Sequence, residues 1–229
     1  MSVTPRVCWF RGGDADLVAA VWVARTGPAQ FHAGIYHRDH GAARVLHFAW
    51  DRRLFDDAPE ALLDGREHGL IVLPLDEDDA RTLCALCRQV ARRHGRTLRY
   101  RFAEWQPRFD PATAEMNPPP ADERYGFTCA TFVLAVLRSA ILEEVLVLEQ
   151  WPRPELQDSD DQWQRIIAKK LCSGAASPEE VAGVLAGIGA RRVLPTDVAG
   201  GAMCSRERWP VGFVDARREG DKIADCLHV

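Results

Sequence analysis

Two stretches of strand-like sequence flank the turn Asp39-His40-Gly41. Phe31-His32-Ala33-Gly34-Ile35-Tyr36-His37 precedes it and Arg44-Val45-Leu46-His47-Phe48-Ala49-Trp50 follows it. Turn residues of this kind between two such runs specify a β-hairpin. Side chains alternate along a strand, so His32, Gly34 and Tyr36 share one face of the first strand, and Val45, His47 and Ala49 share one face of the second. Any loop with an even number of residues brings the two histidines to one surface. A two-residue loop at Asp39-His40 sets them directly opposite. A four-residue loop over residues 39–42 makes them diagonal neighbours, roughly 7–8 Å apart between Cα atoms.

The rest of the chain supplies further elements. Residues 7–10 read as a short strand. A helical stretch opens at Asp14, carries Leu17, Val18, Val21 and Trp22 on its apolar positions, and stops at Gly27-Pro28, where both residues disfavour continuation. Residues 70–75 form a compact apolar run, read as a buried strand. Residues 76–94 form an amphipathic helix with acidic residues first, basic residues last and Gly95 as the stop. Residues 97–105 alternate as a strand. Residues 107–122, with Asn117-Pro118-Pro119-Pro120, are a loop long enough for a functional role. A helix runs from Cys129 to about residue 148, and Trp151-Pro152-Arg153-Pro154 breaks the chain. Another helix covers residues 160–171. A third opens at Ser177-Pro178-Glu179-Glu180, with Ser177 as cap and Pro178 in the first helical position.

Composition excludes several classes. The 229 residues are 47% hydrophobic and 27% charged, as in a soluble globular protein with a substantial core. A net charge of −4 gives no global electrostatic basis for binding nucleic acid or an anionic membrane. The most apolar stretch, residues 132–148, is interrupted by Arg138, Glu143 and Glu144, so no transmembrane helix is expected. The N-terminus lacks the pattern of a secretory leader, which points to the cytoplasm, with export by a specialised route as the alternative. Seven scattered cysteines fit a reducing compartment better than a disulfide framework.

Cys129 stands where its helix begins, with Thr128 as a plausible cap and Phe132, Val133, Val136 and Leu137 marking a buried face. A helix N-terminus and a nearby imidazolium both stabilise a thiolate, and the unpaired amides of the first turn suit an oxyanion. The bland reading is that a cysteine opening an apolar helix is core. Cys84 and Cys87, three apart inside a helical pattern, are read as core. His37 and His40 flank the turn and are read as solvent-exposed. Asp56-Asp57 and residues 76–79 are read as solvated turns and caps. A metal site from His32, His37, His40 and His47 lacks helpful carboxylates.

The series His32-Ala-Gly-Ile-Tyr36, a turn, Val45-Leu46-His47 and, much later, Thr128-Cys129-Ala-Thr-Phe132-Val133 resembles the permuted branch of the NlpC-type papain-like superfamily. That branch includes lecithin:retinol acyltransferase-like enzymes and YaeF/YiiX-type amidases. The histidine strand comes first and the cysteine helix last, the reverse of the ordinary papain-like order. The resemblance covers about residues 30–140. It implies an α+β, circularly permuted papain-like fold: an antiparallel sheet packed on the Cys-bearing helix over residues 1–150, with residues 151–229 a helical extension packed on the same domain. By the same resemblance Cys129 is the nucleophile, His32 its base and His47 the residue that orients His32. Tyr36 matches an aromatic position four residues after the histidine. Tyr36, Tyr125 and Thr128 are assigned to the substrate and oxyanion region, although these families often carry Asn where this chain has Thr128.

The implied activity is thiol hydrolysis of a peptide-like amide, or of an ester or thioester, through an acyl-thioester on Cys129, without metal or cofactor. The expected partner is a peptide-like or acylated substrate and not a nucleic acid. Lipid acyl transfer is an alternative. So is a non-catalytic binding module or a delivered antibacterial effector whose partner is an immunity protein.

Overall fold

The computed structural model describes residues 7–9, 17–28, 30–49, 53–62, 68–103, 107–117, 125–155, 158–172 and 177–227. Asp14, Trp50, Trp105 and Pro118 to Pro120 lie outside the described residues. The fold is α+β. Strands β1 (Val7–Trp9), β2 (Ala19–Gly27), β3 (Gln30–Asp39), β4 (Ala42–Phe48), β5 (Leu54–Asp57) and β6 (His68–Val72) form one sheet in the order β1-β6-β2-β3-β4-β5. Every neighbouring pair is antiparallel. A short helix α1 (Pro59–Leu62) and the long α2 (Glu77–His94) accompany the sheet, and β7 (Arg108–Phe109) with β8 (Met116–Asn117) makes a miniature hairpin. The second half is helical: α3 (Cys129–Ile141), α4 (Ser159–Cys172), α5 (Pro178–Ala186), α6 (Pro195–Ala202) and α7 (Phe213–Cys226). No helix among the described residues is long and apolar enough to cross a membrane.

The sheet separates two apolar clusters. Val21, Val23, Ala33, Ile35, Leu46, Phe48 and Ile71 turn one face to a large core shared with α2 and α3. Ala20, Trp22, Ala24, Tyr36, Val45 and Leu70 form a smaller cluster on the other face. α3 is apolar nearly all round and buried from Ala130 to Leu137, as a central helix must be. α6 packs on β2, β3, β6 and α3, so the C-terminal third shares the core of the first half.

Several expectations need correction. The stretch expected to open as a helix at Asp14 contains β2, the second strand of the chain and a central one. Its residues Ala19 to Ala24 are buried on both faces, so no polar side exposes the two-residue period, and a continuous apolar run does not distinguish strand from helix. Among the described residues, 97–103 make a single bridge, Tyr100 with Phe127, because their partner is the short segment leading into α3. α3 stops at Ile141, well short of residue 148. Leu142 takes a left-handed conformation (φ 58°), and its N–H bonds to the carbonyl of Arg138. Beyond it, Glu143 is bound by Arg206 and Glu144 by Arg138.

His37 is not exposed. It is fully buried, with Nε2 2.8 Å from Oδ1 of Asp56. Burial works to raise the Asp56 carboxyl, but the hydrogen bond and charge of His37, joined by Arg44, outweigh it and hold the group below the ordinary carboxylate range. A depressed folded-state pKa contributes stability above the unfolded value, about 3.9, and that contribution is lost as pH falls through the folded value. Asp56→Asn should therefore destabilise by about 1.5–3 kcal/mol near neutral pH. Denaturant titrations should show the difference from wild type shrinking as pH falls below the unfolded value. An undiminished difference there would assign the loss to packing.

Candidate functional site

The hairpin turn is two residues long, His40-Gly41, and both have positive φ (48° and 87°), the type I′ geometry that matches strand twist. Asp39 pairs with Ala42, and the register carried down the ladder sets Gly34 opposite His47. The histidines are diagonal neighbours, the register expected from a four-residue loop, with the outer two loop residues paired. His32 Nε2 lies 3.0 Å from His47 Nδ1, and the two rings meet edge to face.

Gly34 makes this contact possible. A Cβ at that position would lie 2.9 Å from His47 Cβ and 2.9 Å from the carbonyl oxygen of Leu46. Phe55, opposite His47 on β5, stacks on its ring at 5.1 Å, and Trp22 stands 5.9 Å from both imidazoles. Asp57 Oδ2 is 3.5 Å from His47 Nε2. That separation is an ion-pair distance, and which ring nitrogen of the histidine pair donates depends on the tautomer. With Nε2–H of His32 donating to Nδ1 of His47, the proton of His47 is on Nε2 and faces the carboxylate, and Nδ1 of His32 carries a lone pair. From sequence alone Asp57 reads as a solvated turn residue and Gly34 only as a strand position. The diagonal register that involves both is a property of the folded hairpin.

Cys129 arrives from the other side of the sheet. Ala33 and Ile35 face the α3 core, whereas His32 and His47 are on the opposite face. The two sides meet at the end of the sheet. β3 begins at Gln30, but its ladder with β4 begins only at Gly34. There, His32, His47 and Cys129 border one cavity of about 350 Å³ together with Phe48, Tyr100 and Trp163.

Thr128 caps α3 in a reciprocal box: its hydroxyl accepts from the Thr131 N–H, and its own N–H donates to Thr131 Oγ1 at 2.8 Å. That leaves the amides of Cys129 and Ala130 directed at the sulfur, and the Ala33 amide joins them. Cys129 is half-buried. Burial pushes its thiol above the ordinary value, and the three amides, with the Arg192 guanidinium, pull it back without reversing the shift. The helix terminus alone therefore does not produce a resting thiolate.

Thr128 also lines a second cavity, of about 460 Å³, which shares Cys129, Gln30, Phe31 and Trp163 with the first. Tyr125 is half-buried, four residues before the thiol. Tyr36 is buried between Ala20 and Val45 in the smaller apolar cluster and lines neither cavity. The structure thus brings His32, His47, Cys129 and Thr128 together and leaves Tyr36 apart. Cys84 and Cys87 are buried on α2. Among the described residues no three His, Cys, Asp or Glu side chains are grouped to hold a metal ion. No family model matches the chain, and no curated protein or solved structure matches it either.

Two outcomes follow. Gly34→Ala should cost about 1–3 kcal/mol through overpacking, and the ring resonances of His32 and His47 should move in nuclear magnetic resonance spectra. Unchanged resonances would remove Gly34 from the positioning of the pair. Alkylation of Cys129 by iodoacetamide, followed by peptide mapping, should rise with pH through a midpoint above the free-thiol value of about 8.5. A midpoint well below that value would mean that a thiolate is already formed in the resting protein.

Proposed function

We propose that the chain is a cysteine hydrolase with a circularly permuted papain-like arrangement, acting on a peptide-like amide, an ester or a thioester. The observation that carries this reading is the 3.0 Å bond between His32 Nε2 and His47 Nδ1, on a cavity that Cys129 also borders. The order of elements, histidine strands before the cysteine helix, agrees with it.

In this reading the resting pair is neutral, because burial holds the thiol protonated. Nδ1 of His32 takes the proton of Cys129 as the sulfur attacks the acyl carbon. The carbonyl electron pair moves to oxygen, and the amides of Cys129 and Ala130 hold the resulting oxyanion. The tetrahedral species collapses, the amine, alcohol or thiol leaves with the proton from His32, and an acyl-thioester remains. Water, deprotonated by His32, then attacks that thioester and releases the acid, and the sulfur recovers its proton. His47 keeps His32 in the tautomer that can accept at Nδ1, with Asp57 behind it, the role a carboxylate has in a serine triad.

The second reading is a scaffold used only for binding, and the upward shift of the thiol favours it. Hydrolysis of an activated thioester separates the two. Cys129→Ala should abolish turnover, and His32→Ala should lower it by about 10²–10⁴-fold, the usual contribution of a general base. His47→Ala should cost less, and His47→Asn should recover part of the loss by accepting from Nε2–H. Acyl label trapped on Cys84, Cys204 or Cys226 in place of Cys129 would overturn the hydrolase reading.

A further inference from the structure

Cys129 stands at the junction of two cavities, and only one of them holds the histidines. The larger cavity joins Phe31, Phe102 and the start of α3 to the C-terminal third, which the family resemblance does not cover: Trp163 from α4, the segment around Arg192, and Arg217 from α7. We infer that this cavity is the acyl subsite of the proposed hydrolase, and that it takes an uncharged acyl group ending in an aromatic ring. The inference rests on the reading of Cys129 as nucleophile.

The chemistry of the wall selects that group. Phe31, Phe102 and Trp163 supply aromatic surface, and Phe102 meets Trp163 edge to face at 5.8 Å. The Arg192 guanidinium lies 4.0 Å over the Trp163 ring, so the wall already stacks a flat cation on an aromatic face. Its charge is neutralised by Asp160 at 2.5 Å, and that of Arg217 by the fully buried Asp197 at 2.6 Å. Arg191 and Asp221 also border the cavity, and Arg191 donates through Nε to the Trp151 carbonyl. An anionic acyl end could reach Arg192 or Arg217 only by displacing a carboxylate already bound. A long alkyl chain would desolvate the Asp160–Arg192 pair and offer nothing to its guanidinium. An aromatic ring can stack on these surfaces without breaking either pair. A volume of about 460 Å³ suits a group of that size.

The expected discrimination, from ring stacking and cation–π contact, is on the order of 10-fold. Rates of Cys129 acylation would be measured with acetyl, hexanoyl, hexadecanoyl, succinyl and 3-phenylpropionyl thioesters of one leaving thiol. The phenylpropionyl donor should lead the uncharged short donors by about 10-fold. Trp163→Ala should remove that lead and Trp163→Phe should keep most of it, each read as the ratio of the phenylpropionyl to the acetyl rate within the same protein. Equal rates across the series, a lead for hexadecanoyl or succinyl, or a lead insensitive to Trp163→Ala would overturn the subsite.

A binding arm separates this from failure of the chemistry. Cys129→Ala would be titrated with 3-phenylpropionamide by calorimetry. Trp163-dependent binding without any acylation of the wild type would keep the aromatic subsite and reject the hydrolase. Neither binding nor acylation would reject both.

Discussion

With both turn residues at positive φ, the β3–β4 hairpin closes on His40-Gly41 and pairs Asp39 with Ala42. That register puts a residue without a side chain, Gly34, across from His47. The imidazole of His47 then leans over the glycine toward His32, and the two rings bond at 3.0 Å. A slip of one residue would send one histidine to the opposite face of the sheet, into the core shared with α3. Stacking by Phe55 and the nearby Trp22 restrict the rings further, so the pair is held by packing as well as by its own hydrogen bond.

The second constraint is the length mismatch between β3 and β4. If their ladder continued to Gln30, Ala33 would be hydrogen-bonded into it and the sheet would wall off the thiol from the imidazoles. Because pairing begins at Gly34, the Ala33 amide faces the sulfur of a helix on one side of the sheet, and the histidines approach from the other. The reciprocal cap of Thr128 and Thr131 sets the start of α3 at this gap. Electrostatics at the gap is a balance in which burial exceeds the pull of three amides and one guanidinium on the thiol. In the proposed hydrolysis such a site would depend on proton transfer at the moment of attack more than on a stored charge.

The C-terminal helices are part of this balance. α6 joins the central core, the segment after α5 and α7 border the thiol on the second cavity, and α4 lines both cavities. Their charged residues are matched within the group, Asp160 with Arg192 and Asp197 with Arg217. The wall thus presents Arg192 and Arg217 already paired, alongside Arg191 and Asp221.

Elements with a complete local code were legible in the residues. Asp76 caps α2 and Gly95 ends it, Ser177-Pro178 with Glu180 opens α5, and Thr128 precedes the cysteine helix, each through bonds within a few residues. The hairpin and the shared face of its histidines were legible for the same reason, since alternation is a property of one strand. Tertiary contact decided the rest. β2 is buried on both faces and shows no period by which to name it. α3 ends where Glu143 meets Arg206 and Glu144 meets Arg108, both distant in sequence. The burial of His37 on Asp56, the approach of Asp57 to His47, and the second cavity beside Cys129 all join residues from separate elements. Local spacing carries no information about such meetings, because they depend on which faces the sheet and helices turn toward one another.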